Sequence, residues 1–219
     1  MWPLTRMMAT RTQPKSLSAS RRKRRPELEC LEERKVLSIT FASYANGTYA
    51  YDAGSNGLPG AGFRQITPAI PNAMAEGANG TLFASYPSGT FRYDYSSNQW
   101  TELTSAQATA LSASRDNTFF GSYSSGTWEY DGSWHQLASH VATNLAAVSN
   151  SECYATFSSG AAAGTWEYNG SWHNLTTAVA SQLGSDGSTM IGSFSSGTYT
   201  YDGNGHWHRL TTLQAELVG

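Results

Sequence analysis

One short motif, Gly-Thr-aromatic-x-Tyr, occurs five times along this chain of 219 residues. The copies begin at Gly47, Gly89, Gly126, Gly164 and Gly197, and the intervals between them are 42, 37, 38 and 33 residues. A repeat of this length corresponds to one supersecondary unit, which buries its apolar faces only by packing against neighbouring copies. The repeat therefore constrains the fold more than any other feature of the sequence.

Each copy divides into four short runs that are rich in aromatic and β-branched residues and are separated by turn residues. In the third copy the runs are 108–113, 118–123, 127–130 and 134–137. In the last three copies the dipeptides Asp131-Gly132, Asn169-Gly170 and Asp202-Gly203 separate the third and fourth runs, and they favour type I′ hairpins in which both residues have positive φ. The pattern predicts a four-stranded antiparallel meander in each copy.

Five such meanders predict an all-β fold, a five-bladed β-propeller over residues 36–219, in which neighbouring four-stranded blades cover one another's faces. The first copy begins at its second strand, 39–44, because only the leader precedes it. Residues 215–218 at the other end repeat the apolar first strand of an interior copy. We expect this C-terminal strand to join the first blade and close the ring, since an open blade would leave an unpaired edge.

The repeats are similar to those of known propeller families. Tyr93-Asp94 followed by Trp100-Thr101-Glu102-Leu103, and the equivalent residues of the third copy, resemble kelch and tectonin repeats. The five copies also resemble the five-bladed lectin propellers in architecture. These resemblances imply a binding module whose partners are glycans or proteins.

Residues 1–35 differ in composition from the rest of the chain. They carry ten Lys or Arg and four acidic residues, which gives a net charge of +6. The body carries four Lys or Arg and twelve acidic residues, which gives a net charge of −8. The polar leader lacks hydrophobic periodicity, which predicts disorder, and the acidic body should repel nucleic acid. No stretch approaches the roughly 18 apolar residues of a membrane span. We therefore expect neither a nucleic-acid partner nor a membrane span.

The end of the leader, residues 24–38, reads RRPELECLEERKVLS. This segment resembles the LEPR-XLL type motif near the N terminus of many large exported bacterial proteins, with Cys30 at a position where proline is common. The resemblance implies an extracellular or cell-envelope location, although the leader lacks an ordinary apolar secretion signal. A solvated tether and a nucleic-acid patch are the alternatives for the basic run 21–25, and the patch lacks the interleaved aromatic residues of single-strand binders.

The loop between the second and third strands presents a polar residue and a threonine around a glycine in every copy. Five similar hydroxyl-rich loops on one rim would make equivalent weak sites, which suits multivalent binding of a polar ligand. The candidate ligand-binding residues are Asn46, Thr48, Ser88, Thr90, Ser125, Thr127, Ser159, Thr165, Ser196 and Thr198. The alternative is that these dipeptides only make good turns.

The sequence thus favours an exported, monomeric, non-catalytic module with lectin-like glycan binding. A protein-interaction or cell-surface structural propeller of kelch type is the second hypothesis, and a glycosidase is the third. Glycoside hydrolysis needs two converging carboxylates, and Glu76 and Glu216 are the only acids expected in the innermost layer. We therefore expect no catalytic residues and no cofactor.

Other repeated residues are interpreted mainly as structural. Trp100, Trp134, Trp172 and Trp207 can stack on sugar rings, but their equivalents in kelch-like repeats pack between blades. His135, His173 and His208 lie on separate sheets, which is too far apart for a shared metal ion. The column Asp52, Asp94, Asp131 and Asp202 has Asn169 in the fourth copy, and this favours a role in turns over catalysis.

The two cysteines, Cys30 and Cys153, do not form a disulfide framework. Cys153 aligns with Thr40, Leu82, Phe119 and Met190 of the other copies. This mainly apolar column predicts a partly buried free thiol of low reactivity.

Overall fold

The structure is a computed structural model, and it describes residues 39–53 and 62–216. The predicted leader with its export-type motif, the insertion near residue 57 and the final residues 217–219 lie outside the described residues. The division between leader and propeller at residue 35 therefore stays a prediction.

The described chain forms five antiparallel sheets, each a simple up-and-down meander in chain order. The first sheet contains β1 Ile39–Tyr44, β2 Gly47–Asp52 and β3 Gly62–Thr67. The second contains β4 Ala73–Glu76, β5 Thr81–Tyr86, β6 Gly89–Asp94 and β7 Gln99–Thr104. The third contains β8 Ala108–Ala113, β9 Phe119–Tyr123, β10 Gly126–Tyr130 and β11 Trp134–Ala138.

The fourth sheet contains β12 Asn144–Ser149, β13 Glu152–Phe157, β14 Gly164–Tyr168 and β15 Trp172–Thr176. The fifth contains β16 Gln182–Ser185, β17 Met190–Phe194, β18 Gly197–Tyr201 and β19 Trp207–Thr211. Single 3₁₀ turns occur at Ala78–Gly80 and Gly160–Ala162. No helix among the described residues is long and apolar enough to cross a bilayer. The predicted all-β fold and the count of five blades are confirmed, and β1 begins at the predicted second-strand position.

The hydrophobic core lies between consecutive blades. One cluster joins Ile39 and Phe41 of the first blade to Leu82 and Tyr93 of the second. The rings of Phe83 and Phe119 stack between the second and third blades with centroids 4.5 Å apart. Two further clusters join the third blade to the fourth and the fourth to the fifth. Because one thin sheet cannot bury both faces by itself, each blade depends on its neighbours for its apolar burial.

A β-bulge follows the repeated Gly-Thr pair in every blade. The pairing register between third and fourth strands shifts directly after Thr48, Thr90, Thr127, Thr165 and Thr198. The glycine before each threonine has a φ between +129° and +141°. A Cβ on Gly126 would also collide with the carbonyl oxygen of Ala138 on the fourth strand. The glycine is therefore required both by backbone conformation and by this close approach.

The turns between third and fourth strands differ from the predicted type I′ geometry. Gly132 has a φ of +113°, whereas Asp131 is not among the residues with positive φ. Asp131 Oδ1 instead accepts a hydrogen bond from the backbone N–H of Ser133 at 3.0 Å. Asp202 makes the same bond to the N–H of Asn204 at 2.8 Å. These are three-residue or longer loops organised by an Asx turn, so the type I′ prediction was wrong for these positions.

The first sheet has three described strands, and the innermost strand that the other blades have beside their second strand is not among them. The segment predicted to supply it, residues 215–218, is described only as far as residue 216. Ala215, near the end of the described chain, donates its N–H to Ser193 Oγ of the fifth blade at 2.9 Å. Ala108, which opens β8, donates to Ser85 Oγ in the equivalent position at 2.8 Å. Closure of the ring by residues 215–218 stays a prediction.

Candidate binding pockets between the blades

The five threonines predicted to bind ligand face the interior. Thr48, Thr90, Thr127 and Thr165 have no solvent exposure, and Thr198 is 6% exposed. Each hydroxyl donates a hydrogen bond to a carbonyl oxygen in the connector that leaves its own blade, namely Ala69, Ala106, His140, Ala178 and Leu213. The prediction that these threonine hydroxyls reach a ligand is corrected on this ground, because burial and a structural hydrogen bond already occupy them.

The polar partners of the threonines lie at the surface. Asn46, Ser88, Ser125, Ser159 and Ser196 are all exposed at the loops between second and third strands. Ser125 Oγ accepts from Trp128 Nε1 at 3.0 Å, and Tyr199 donates its hydroxyl to Ser196 Oγ at 3.2 Å. In the first blade Asn46 Nδ2 donates to the Tyr49 hydroxyl at 2.8 Å. The loop residue and the aromatic residue of the motif thus form one polar–aromatic unit.

An open pocket lies where this unit of the third blade faces the connector of the second blade. Its volume is about 270 Å³. The lining is aromatic on the side of the third blade and small on the opposite side, and it consists of Tyr123, Ser125, Trp128, Trp134, Thr104 and Ala106. The rings of Trp128 and Trp134 meet edge to face at 6.5 Å. The pocket exists only because two blades lie side by side.

The same pocket recurs at three other blades. At the second blade it measures about 360 Å³ and is lined by Tyr86, Ser88, Phe91, Trp100, Thr67 and Ala69, with Pro87 beside them. At the fifth blade it measures about 310 Å³ and is lined by Phe194, Ser196, Tyr199, Trp207, Thr176 and Ala178, with Leu175 beside them. At the first blade it measures about 290 Å³ and is lined by Tyr44, Asn46, Tyr49 and Phe63.

The pockets are electrically neutral in their linings. None of the residues that line these four cavities carries a carboxylate, an amine, a guanidinium or an imidazole. Burial raises the pKa of Tyr123 to about 12 against a smaller opposing effect of its hydrogen bond to Thr90. Burial likewise raises the pKa of Tyr86. These phenols are therefore uncharged at neutral pH, and a neutral ligand with an apolar face matches the lining.

The aromatic residues of the pockets were interpreted from sequence as structural, and in the structure they both pack inside the blade and line a pocket. Trp134 packs edge to face on Phe119 and Tyr123 inside its own blade, at 5.6 and 5.7 Å. It remains half-buried and its free side lines the pocket. The signal for this role is the column of aromatic residues directly after Gly-Thr, next to the tryptophan column, but the sequence does not show which ring edge remains open.

The histidine and aspartate columns differ in their surroundings. His135, His173 and His208 are exposed on the fourth strands of three different blades. Within the described residues no group of three His, Cys, Asp or Glu side chains is placed to hold a metal ion. Asp94, Asp131 and Asp202 accept hydrogen bonds in their turns, and backbone N–H donors lower the pKa of Asp202 to about 2.

A separate cavity of about 260 Å³ lies at the axis, between the innermost strands of the second to fifth blades. Met74, Leu111, Leu145 and Leu183 line it. Glu76 is the one acidic residue of the described lining, and burial raises its pKa while a hydrogen bond from the Phe41 N–H lowers it. Glu216 is exposed and does not line this cavity. The described residues therefore do not bring the two carboxylates of the glycosidase hypothesis together here.

The strand topology and the blade packing define the chain as a β-propeller. No family model matches the sequence, and no curated protein is significantly similar to it. In structure it resembles a gluconolactonase from Xanthomonas campestris, with 14% identity, a TM-score of 0.53 and coverage of 78% of this chain and 71% of that one.

Two further similar structures come from protein complexes. A chain of the nidogen–laminin complex shares 12% identity with a TM-score of 0.57, covering 80% of this chain and 78% of that one. YCF48 bound to a D1 peptide shares 14% identity with a TM-score of 0.53, covering 80% of this chain and 66% of that one. Identities this low establish the shared fold and transfer no binding residue.

Proposed function

We propose that this protein is a non-catalytic binding module that takes neutral glycans in its repeated pockets between the blades. The observation that supports it is the recurrence, at four blades, of one neutral pocket with aromatic walls and an exposed serine or asparagine beside them. An aromatic wall packs against the apolar face of a sugar ring, and a hydroxyl or amide at the edge bonds its hydroxyl groups. Several shallow equivalent pockets suit a ligand that is displayed many times.

The expected setting is the cell envelope or the outside of the cell, with the protein acting as a monomer. The similarity of residues 24–38 to an export-type motif supports this location. A multivalent ligand is most available on a surface, where weak single sites combine into strong attachment.

A glycan array probed with the full-length protein, clustered on beads, tests the proposal. Exposed connector alanines provide variants that fill a pocket without removing a packed aromatic residue. The triple variant Ala69→Trp, Ala106→Trp and Ala178→Trp should bind much more weakly at multivalent display, because each indole enters one pocket and only the first-blade pocket stays open. The control is Ser133→Trp, an equally large change at an exposed hairpin away from the pockets. A folded protein that binds no glycan at multivalent display contradicts the proposal.

A protein-interaction module is the second candidate. Exposed aromatic side chains of the first blade favour it, since Tyr44 is 48% and Phe63 is 62% exposed. Two of the similar structures are also parts of protein complexes. Capture from envelope extracts separates the candidates: free sugars compete with a glycan-dependent partner and leave a protein partner bound.

Non-catalytic status is part of the proposal and needs its own measurement. Glu76→Gln removes the carboxylate that lines the axial cavity, and Glu216→Gln removes the second candidate. Neither change should alter glycan retention. Cleavage of any array sugar that disappears in the double variant would assign a glycosidase activity instead.

A further inference from the structure

The fourth blade departs from the pattern of the other four. Its loop between second and third strands has four additional residues, 160–163, between Ser159 and Gly164, where the third blade joins Ser125 directly to Gly126. These residues form the 3₁₀ turn Gly160–Ala162. The glycines that follow the two loops have nearly the same φ, +137° at Gly164 and +129° at Gly126. The strands are therefore equivalent and only the loop differs.

The additional turn folds onto the aromatic residues that would line a pocket. Ala162, Trp166 and Trp172 all pack against the core cluster that contains Phe157. Trp166 Nε1 donates to the carbonyl oxygen of Ala162 at 2.8 Å, whereas the equivalent Trp128 donates to a side-chain hydroxyl at the open pocket of the third blade. The extra turn thus takes the indole N–H of Trp166 and lies beside its ring.

The opposite wall of the same space is also filled. In each connector one residue accepts the hydrogen bond of the buried threonine with its carbonyl oxygen. This residue is an alanine in the connectors beside three open pockets, namely Ala69, Ala106 and Ala178. After the third blade it is His140. The His140 ring contacts the Phe157 ring of the fourth blade edge to face at 6.0 Å. Phe157 is the equivalent of Tyr123, which lines the open pocket of the third blade. The side chain of His140 therefore occupies the entrance that alanine leaves free elsewhere.

A third contact draws the two blades together at this point. Trp172 Nε1 donates to the carbonyl oxygen of Leu137 in the third blade at 2.9 Å. Trp134 and Trp207, the equivalents of Trp172, instead line the cavities of the third and fifth blades. Phe157, Trp166 and Trp172 of the fourth blade thus contact His140, Ala162 and Leu137 of the chain itself.

We infer that the fourth blade holds a closed copy of the binding pocket, occupied by the chain's own Ala162 and His140. Open pockets then lie on the first, second, third and fifth blades, and the fourth interrupts the series. This inference extends the proposed function, because it sets how many ligands one chain binds and which blades bind them. The closure itself depends only on contacts within the protein.

Opening the closed copy tests the inference without any ligand. The variant lacks residues 160–163 and carries His140→Ala. The readout is the relaxation enhancement that a soluble gadolinium chelate produces at the Trp166 indole N–H signal, which Trp166→Phe assigns. We expect this enhancement to rise to the value of Trp128 in the parent protein. An indole that stays as protected as in the parent overturns the inference.

The reciprocal variant decides the question if the opened protein does not fold. It inserts Gly-Ala-Ala-Ala between Ser125 and Gly126 and carries Ala106→His, which transfers the closing elements to the third blade. Trp128 should become protected from the chelate, and unchanged exposure of Trp128 would contradict the inference.

Titration with an array-selected glycan then counts sites. The opened variant should bind one ligand more per chain than the parent, and the reciprocal variant one fewer. If Trp166 opens but no glycan binds either protein, the closed copy is supported and the glycan function is rejected. If glycan binds both with the same number of sites although Trp166 opens, the fourth blade is not a copy of the pocket.

Discussion

Thr127 Oγ1 donates a hydrogen bond to the carbonyl oxygen of His140 at 2.8 Å, from a position with no solvent exposure. The same hydroxyl accepts from the backbone N–H of Ala142 at 3.3 Å. One side chain thereby fixes the connector that leads from the third blade into the fourth. Equivalent hydrogen bonds from a threonine hydroxyl to a carbonyl oxygen occur in the other four blades. The threonine of the repeated motif therefore holds the connector in every blade.

Thr127→Val should lower the free energy of unfolding by about 1–3 kcal/mol, because the carbonyl of His140 and the N–H of Ala142 lose a buried partner. Urea denaturation at constant pH measures the change. Thr127→Ser keeps the hydroxyl and is the matched control, with a smaller loss. Equal stability of the valine variant and the parent would show that the bond is not needed.

Gly126→Ala should destabilise the protein more than Gly132→Ala does. Both glycines have positive φ, but a Cβ at position 126 meets the carbonyl oxygen of Ala138, whereas nothing lies within 4 Å of one at position 132. We expect about 1 kcal/mol for the conformational cost at Gly132 and a clearly larger loss at Gly126. Thermal unfolding of the two variants in parallel gives the comparison, and similar losses would rule out the steric contribution.

Glu129→Gln should stabilise the protein at pH 7. Glu129 is 9% exposed. Burial raises the pKa of its carboxyl group, and the charges of Asp131 and Asp116 raise it further against a smaller effect of His135. A raised pKa in the folded state means that the stabilising contribution is complete below the unfolded pKa and is lost as pH rises through the folded value. At neutral pH the parent therefore keeps an unfavourable buried charge that glutamine lacks.

The gain should be larger at pH 7 than at pH 4, because protonation removes the buried charge of the parent as pH falls. Chemical denaturation at both pH values measures it as the difference between variant and parent, so that other titrating groups cancel. Glu102→Gln, at an exposed position of β7, serves as the control and should change stability by less than about 0.5 kcal/mol. A gain for Glu129→Gln that is equal at pH 4 and pH 7 would argue against charge burial as its cause.

Cys153 should react slowly with thiol reagents in the native protein. It is fully buried and free, and burial raises the pKa of its thiol well above the usual range, with Glu129 and Glu152 adding to the shift. The structure thus buries this thiol more completely than the sequence predicts. Labelling followed by mass spectrometry should track global unfolding in urea. Rapid labelling at Cys153 without denaturant would contradict this burial.

Deletion of residues 213–219 should yield an aggregating or unfolded protein, whereas deletion of residues 1–30 should be tolerated. The hydrogen bonds between Ala215 and Ser193 Oγ, at 2.9 and 3.1 Å, resemble the bond by which Ser85 Oγ holds Ala108 at the start of β8. Without a closing strand the first blade would expose an unpaired edge. Full thermal stability of the C-terminal truncation would disprove closure by this segment.

Much of the fold follows from local sequence. The start of β1 at Ile39, the bounds of β8 and the meander of each copy were predictable, because turn residues and alternating side chains act within a few residues. The geometry of the Asp131 turn was not, since the same dipeptide supports both a type I′ turn and an Asx turn. Only the pairing with the neighbouring strand selects between them.

The candidate site also has features that the local sequence predicts and features that only the packing of the blades decides. Ser125 and Thr127 look alike in sequence, and the bulge after Thr127 turns the threonine into the core while Ser125 stays at the surface. At the second, third and fifth blades the pocket walls come from two blades, as Trp128 and Ala106 do, so one repeat contains only part of each pocket. The sequence by itself determined five similar units, and the packing of unit against unit decided which side chains remain open. That decision depends on contacts such as His140 with Phe157, which join residues of different blades and have no periodic signature.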